Sequence, residues 1–186
     1  MIGFAMCGSF CTHDKALAVL EELRGRGYDV LPVLSHAVYE TDTRFGTADA
    51  LLTRVRALCG HDVIHTVAEA EPLGPATPME ALIIAPCTGN TLAKLANGIT
   101  DSAVTMAAKA HLRNGRPLVI SFSTNDGLSG SAENIAKLLN RKNVYFVPFR
   151  QDDPAKKPRS LQADFTLIDD TLKDALCGIQ LQPILL

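Results

Sequence analysis

Six short apolar runs punctuate the chain, at Ile2–Met6, Val30–Leu34, Val63–Val67, Ala81–Ala85, Leu118–Phe122 and Val144–Val147. They are rich in Val, Ile and Leu and barely alternate with polar residues, the pattern of strands covered on both faces. Between them the apolar positions recur at helical spacing. Residues 14–24 carry Leu17, Leu20 and Leu23 ahead of Gly25 and Gly27, and residues 47–59 carry Leu51, Leu52, Val55 and Leu58 ahead of Gly60. Glycine past the last periodic residue is a helix stop. Asn90 is placed to cap a helix that ends at Asn97 before Gly98, residues 101–113 read as an Ala-rich helix, and Ser131 starts a helix that runs through Asn140. A last helix is expected over residues 168–178.

Regular alternation of buried strands and helices predicts an α/β fold: a three-layer α/β/α Rossmann-like domain on a six-stranded, mostly parallel sheet. The 186 residues fit one domain, 1–186. The polar, proline-bearing segment 150–160 reads as a long surface loop, the kind of loop that often carries function in a compact domain. In such a sheet ligands bind beyond the carboxyl ends of the strands, where strand order reverses.

Composition narrows the partners. The formal net charge of −2 gives no electrostatic reason to expect nucleic acid. No apolar stretch approaches the length that spans a bilayer. The first residues read as a strand and not a secretory leader, so a cytoplasmic location is expected. Five scattered cysteines, Cys7, Cys11, Cys59, Cys87 and Cys177, do not form a disulfide framework, and the Cys7/Cys11 pair has no second pair at zinc spacing. Reduced thiols, some buried, are expected.

Chemistry is sought at the loop tips. After the first strand, Cys7-Gly8-Ser9-Phe10 leads into a helix, where a glycine lets a ligand approach the backbone and free N–H groups suit an anion. The dinucleotide fingerprint G-x-G-x-x-G is absent, as is the G-x-x-x-x-G-K-[ST] phosphate loop. The second strand ends in Ser35-His36, where a dinucleotide site wants a carboxylate for a ribose diol. A hydroxyl beside the first loop suits a terminal phosphate, which favours a mononucleotide. The segment Pro86-Cys87-Thr88-Gly89-Asn90-Thr91 then gathers polar groups at a helix start, more than one cap requires.

Residues 86–101 resemble the P-x-x-x-N-T-x-x-K-x-x-x-G-I-x-D signature of the flavin-containing cysteine decarboxylase family, which also has a Gly-Ser loop after its first strand and a hydroxyl residue after its second. The resemblance spans most of residues 2–148. It implies FMN held by Gly8, Ser9, Phe10 and Ser35 around the phosphate. It places Pro86, Cys87, Thr88, Asn90 and Thr91, with Asp101 and Ser102, around the rest of the cofactor. It also implies homo-oligomers, trimers or multiples of trimers, with the flavin near the boundary between protomers. The Ala-rich helix 101–113 is a candidate for such a contact or for tight packing on the sheet.

Two departures redirect the function. Counting back from Pro86 to the position of the family's catalytic histidine reaches Pro72, which cannot move protons; the nearest histidine is His65, on the expected third strand. The family's P-A-M-N turn is replaced by Phe122-Ser123-Thr124-Asn125, followed by Asp126. Over nearly the whole chain, the polar loop included, the sequence is similar to one family member that works beside a distinct partner chain. That resemblance implies a component of an oxidoreductase, active during sporulation in the mother cell, that aromatises a dihydropyridine dicarboxylate. The partner would bring an NAD(P)-binding domain. Ser123, Thr124 and Asn125 are then candidate substrate residues, with Asn125 and Asp126 as candidate catalytic ones. Lys94, Lys109, Arg113, Lys156, Lys157 and Arg159 are either solvated charges or carboxylate and partner contacts. A flavin-dependent decarboxylase and a non-catalytic flavin-binding partner are the alternatives.

Overall fold

The computed structural model describes residues 1–74 and 76–186. Strands β1 (Ile2–Met6), β2 (Val30–Leu34), β3 (Leu82–Cys87), β4 (Leu118–Thr124) and β5 (Val144–Phe146) form a parallel sheet in the order β2-β1-β3-β4-β5. Every residue of β1, β2 and β3 is buried, which is why these segments carry almost no polar residue.

The helices are α1 (His13–Gly25), α2 (His36–Glu40), α3 (Ala48–Cys59), α4 (Val67–Ala70), α5 (Gly89–Asn97), α6 (Ala103–Leu112), α7 (Ala132–Leu139) and α8 (Ile168–Leu176). α1 lies on β1 and β3, with α8 beside it on β4 and β5. On the other face α6 crosses β2, β3 and β4, flanked by α4 and α5, with α7 beyond α5. The result is the expected three-layer α/β/α domain. The alanines of α6, Ala103, Ala107, Ala108 and Ala110, are buried inside this chain, so its small residues serve close helix packing here. No helix among the described residues is long and apolar enough to cross a membrane.

The expected third strand at Val63–Val67 does not form. Only Ile64 makes a bridge, to Val33, and the chain then turns into α4. The Thr66 hydroxyl accepts from the Glu69 N–H while the Glu69 carboxylate accepts from the Thr66 N–H, a reciprocal cap that starts a helix there.

The sheet instead has seven strands, because the flanks of the polar loop pair as a hairpin of β6 (Phe149–Gln151) and β7 (Leu161–Ala163). β4 carries both neighbours. Leu118–Ile120 pairs with β5, and Ser123–Thr124 pairs antiparallel with β7. β5 is only three residues long, so the carboxyl half of β4 is left open to this second partner. Phe122 packs there on Phe146 and Phe149, with ring centroids 5.8 and 4.9 Å away. The final helix ends at Leu176, slightly short of the expected 178, and the chain after it returns to bond Phe149.

Three thiols belong to this core. Burial raises Cys7 and Cys59 to a pKa of about 11 and Cys87 well above the ordinary thiol range, while Cys11 and Cys177 are exposed. A buried, protonated thiol is a poor nucleophile. Iodoacetamide at about pH 8 is therefore expected to label Cys11 and Cys177 in the native chain and to reach Cys7, Cys59 and Cys87 only after unfolding, read by peptide mass spectrometry.

Candidate functional site

Strand order reverses between β1 and β3. The chain leaves β1 toward β2 and leaves β3 toward β4, so the two loops diverge and open a crevice at their carboxyl ends. Hydrogen bonds tie the loop tips across that edge. The Cys7 N–H donates to the Pro86 carbonyl at 3.0 Å, and the Ser35 N–H donates to the Met6 carbonyl at 3.0 Å. The Ser9 hydroxyl donates to the Ser123 carbonyl at 3.3 Å. The loops after β1, β2, β3 and β4 thus meet on one rim, as the sequence led us to expect. The Ala85–Pro86 peptide on this rim is cis.

The polar side chains of the rim divide into two groups. The first is spent on structure. Thr88, not Asn90, caps α5 by accepting from the Thr91 N–H at 3.1 Å. The Thr91 hydroxyl lies 3.0 Å from that of Thr88 and donates to the Cys7 sulfur at 3.3 Å. Ser102 caps α6 in a reciprocal box with Thr105. Asp101 is paired with Lys94 at 2.8 Å, and that hydrogen bond holds its carboxyl below the usual range. Asp126 accepts from the Thr124 hydroxyl and, at 2.8 Å, from that of Ser131. Those two donors depress its pKa, Thr124 most. Gly89 is needed below this cluster. A Cβ there would lie 2.7 Å from both the Thr124 and the Ser131 hydroxyl oxygens.

The second group is left over. Among the described residues the buried Ser35 hydroxyl has no hydrogen-bond partner, although Ser35 stands in the N-cap position of α2. Buried hydroxyls normally find a partner. Gly8, next to it, has room: a Cβ at Gly8 would come no closer than 3.4 Å to Phe10 and 3.8 Å to Ala37. Among the described residues no carbonyl accepts from the Gly8 N–H. Asn90 and Asn125 are exposed, and their side-chain amides have no hydrogen-bond partner among the described residues. An anion seated over Gly8 and Ser9 would meet the free N–H and the unpartnered hydroxyl, so these residues fit a phosphate.

Clefts of 170, 510 and 130 Å³ are lined by neither Ser35 nor Asn90. Phe10 begins a one-turn 3-10 helix, with its ring 5.0 Å from that of His13, and lines the first cleft with the loop before α3.

The other candidates lie elsewhere. His65 stacks on Tyr39 at 3.8 Å, outside β2. Pro72 sits in a 3-10 turn, Glu71–Leu73. Lys109 lines the 130 Å³ cleft with Arg141, and Arg113 is exposed at the end of α6. Lys157 pairs with Asp152 at 3.0 Å, and Lys156 and Arg159 are exposed on the same loop. Sequence reasoning missed Lys15 and Gln162. They meet at 3.2 Å across the gap between α1 and β7, and Gln162 also donates to the Ser123 hydroxyl at 3.3 Å. No short-range signal announces this pair, since 147 residues separate them. No group of His, Cys, Asp and Glu that could hold a metal occurs among the described residues.

The chain is 46% identical over 184 residues to the B subunit of dipicolinate synthase from Bacillus subtilis (strain 168), covering 99% of this chain and 92% of that protein. The crystal structure of the dipicolinate synthase B subunit from Bacillus halodurans C superposes with a TM-score of 0.92 at 43% identity, over 100% of this chain and 95% of that one. A dodecameric FMN-dependent Ubix-like decarboxylase from Escherichia coli O157:H7 superposes with a TM-score of 0.61 at 27% identity, over 79% of each chain. A family model described as Flavoprotein matches residues 1–166, and the chain belongs to that family.

Proposed function

We propose that this chain is the B subunit of a dipicolinate synthase. In this reading it holds FMN on the rim and, with the A subunit, oxidises dihydrodipicolinate to dipicolinate (pyridine-2,6-dicarboxylate) during sporulation. The observation that carries the flavin assignment is the buried, unpartnered Ser35 hydroxyl beside the open Gly8 backbone. The reaction rests on similarity to the Bacillus subtilis protein over nearly the full length of both chains. Pro72 removes the acid–base group that a decarboxylase reading needs at that position.

Gly8, Ser9, Phe10 and Ser35 would hold the phosphate. Pro86, Cys87, Thr88, Asn90 and Thr91, with Asp101 and Ser102 of the next loop, would frame the rest. When bound, the flavin supplies a two-electron acceptor, the capacity that aromatisation of a dihydropyridine requires. This chain supplies placement. Thr88 and Thr91 fix the start of α5 and tie it to Cys7, so the β1 and β3 loops keep their separation. Asn90 and Asn125 present free amides at the rim. Asn125 is positioned to orient a ring nitrogen or carboxylate through its amide. Asp126 is already engaged by Thr124 and Ser131, and its role in this reading is to hold the turn that presents Asn125. The A subunit would bring the nicotinamide nucleotide. A homo-oligomer, a trimer or a multiple of trimers, would cover this rim.

Two outcomes are expected. Ser35→Ala removes a hydroxyl with no partner among the described residues, so the melting temperature should hold while FMN affinity falls. A lost hydrogen bond to a charged group corresponds to roughly 10- to 100-fold. Absorbance at about 450 nm after FMN loading and gel filtration reads the loss of cofactor directly. Unchanged FMN retention in Ser35→Ala would remove the phosphate assignment.

The Asp126 carboxyl is depressed below its ordinary 3.8, so the support it gives the turn is present above that value and is lost as pH falls through the lower folded value. The melting-temperature difference between wild type and Asp126→Asn should be largest near neutral pH and shrink toward zero in acid below about pH 3.8.

A further inference from the structure

We infer that the cleft between α1 and the β6–β7 hairpin binds a planar aromatic carboxylate, with a carboxylate group on Lys15 and its ring on Val19, Ala163 and Phe165. This names the product subsite of the reaction proposed above and rests on that reading for the identity of the acid.

The cleft measures 510 Å³, inside the range of small-molecule sites. Its floor is apolar: Val19, Ala163 and Phe165 are buried and face it. Most of the charged side chains that line it are paired: Glu22 shares Arg26 with Asp169, Asp152 pairs with Lys157 at 3.0 Å, and Asp164 with Arg150 at 3.2 Å. Lys15 is the exception. Among the described residues it meets no carboxylate, and its ammonium donates to the side-chain carbonyl of Gln162 at 3.2 Å. An amide acceptor holds an ammonium in place without neutralising it. The cleft therefore offers one positioned, uncompensated cation above an apolar floor, the complement of an aromatic ring that bears a carboxylate.

One lining residue, Gln162, connects the cleft to the rim. Gln162 faces Ser123 across the β4–β7 pairing and donates to its hydroxyl at 3.3 Å. That hydroxyl accepts from Gln162 and keeps its own proton to donate. The Ser123 carbonyl in turn accepts from Ser9, in the loop after β1. One amide head thus separates the Lys15 ammonium from the Ser123 hydroxyl. A dicarboxylate anchored on Lys15 would reach Ser123 with its other end and lie against the rim. The pairing of β4 with β7 is what brings the two sites together, because it sets Gln162 opposite Ser123.

The test is a calorimetric titration of the chain with pyridine-2,6-dicarboxylate. Lys15→Met is compared with wild type and with Lys142→Met, an exposed control remote from the cleft. Melting temperature and FMN retention are read in parallel. Binding to Lys15→Met is expected to weaken roughly tenfold or more, with Lys142→Met at wild-type affinity and all three proteins equally stable. The inference is overturned if wild type does not bind, if Lys15→Met binds as wild type does, or if both variants lose affinity equally. If FMN is not retained but Lys15-dependent binding persists, the flavin reading fails and the cleft assignment stands. If FMN is retained and Lys15 has no effect, the reverse holds.

Discussion

The reversal of strand order between β1 and β3 governs this molecule. Two parallel neighbours whose chains depart in opposite directions cannot close over their own carboxyl ends, and the crevice left there must be lined by whatever the loops carry. Full burial of β1 and β3 on both faces makes that edge rigid, and the Cys7 to Pro86 hydrogen bond sets the distance between its two lips. Everything polar in the site is hung on this frame.

Given the frame, most of the hydroxyls and carboxylates near it have structural duties. Thr88, Thr91, Ser102, Asp101 and Asp126 cap helices or hold turns. What the fold does not consume is therefore informative: the Ser35 hydroxyl, the Gly8 backbone, the amides of Asn90 and Asn125, and the charge of the Lys15 ammonium, which meets only the neutral Gln162 amide. These groups sit in the loops after β1, β2 and β4 and in the first turns of α5 and α1. A phosphate and a carboxylate would satisfy both kinds of leftover group.

Much of this was legible in the amino-acid order. Strands buried on both faces must be almost wholly apolar, so β1 to β5 stood out, as did helices closed by Gly60 and Gly98 in the left-handed conformation. The convergence of Ser9, Ser35 and Ser123 followed from their positions at strand ends. Other features were hidden for physical reasons. The apolar run around Ile64 competes with the Thr66–Glu69 capping box two residues later, and the local cap wins because β2 offers it only one bridge. β6 and β7 are three residues each and take their stability from β4, so no periodicity betrays them. Asn90 and Thr88 are equally good caps by composition, and only the backbone distinguishes them. The Lys15–Gln162 contact is tertiary in origin and has no local signature at all.

The central claim is that the rim recognises its cofactor through the phosphate, using Gly8, Ser9 and Ser35. The most direct measurement is a pair of affinities for the purified chain, one for FMN and one for riboflavin, which differ only by that phosphate. The account predicts that riboflavin binds at least ~100-fold more weakly, since it forgoes several hydrogen bonds to a dianion. Equal affinity for the two flavins would contradict it.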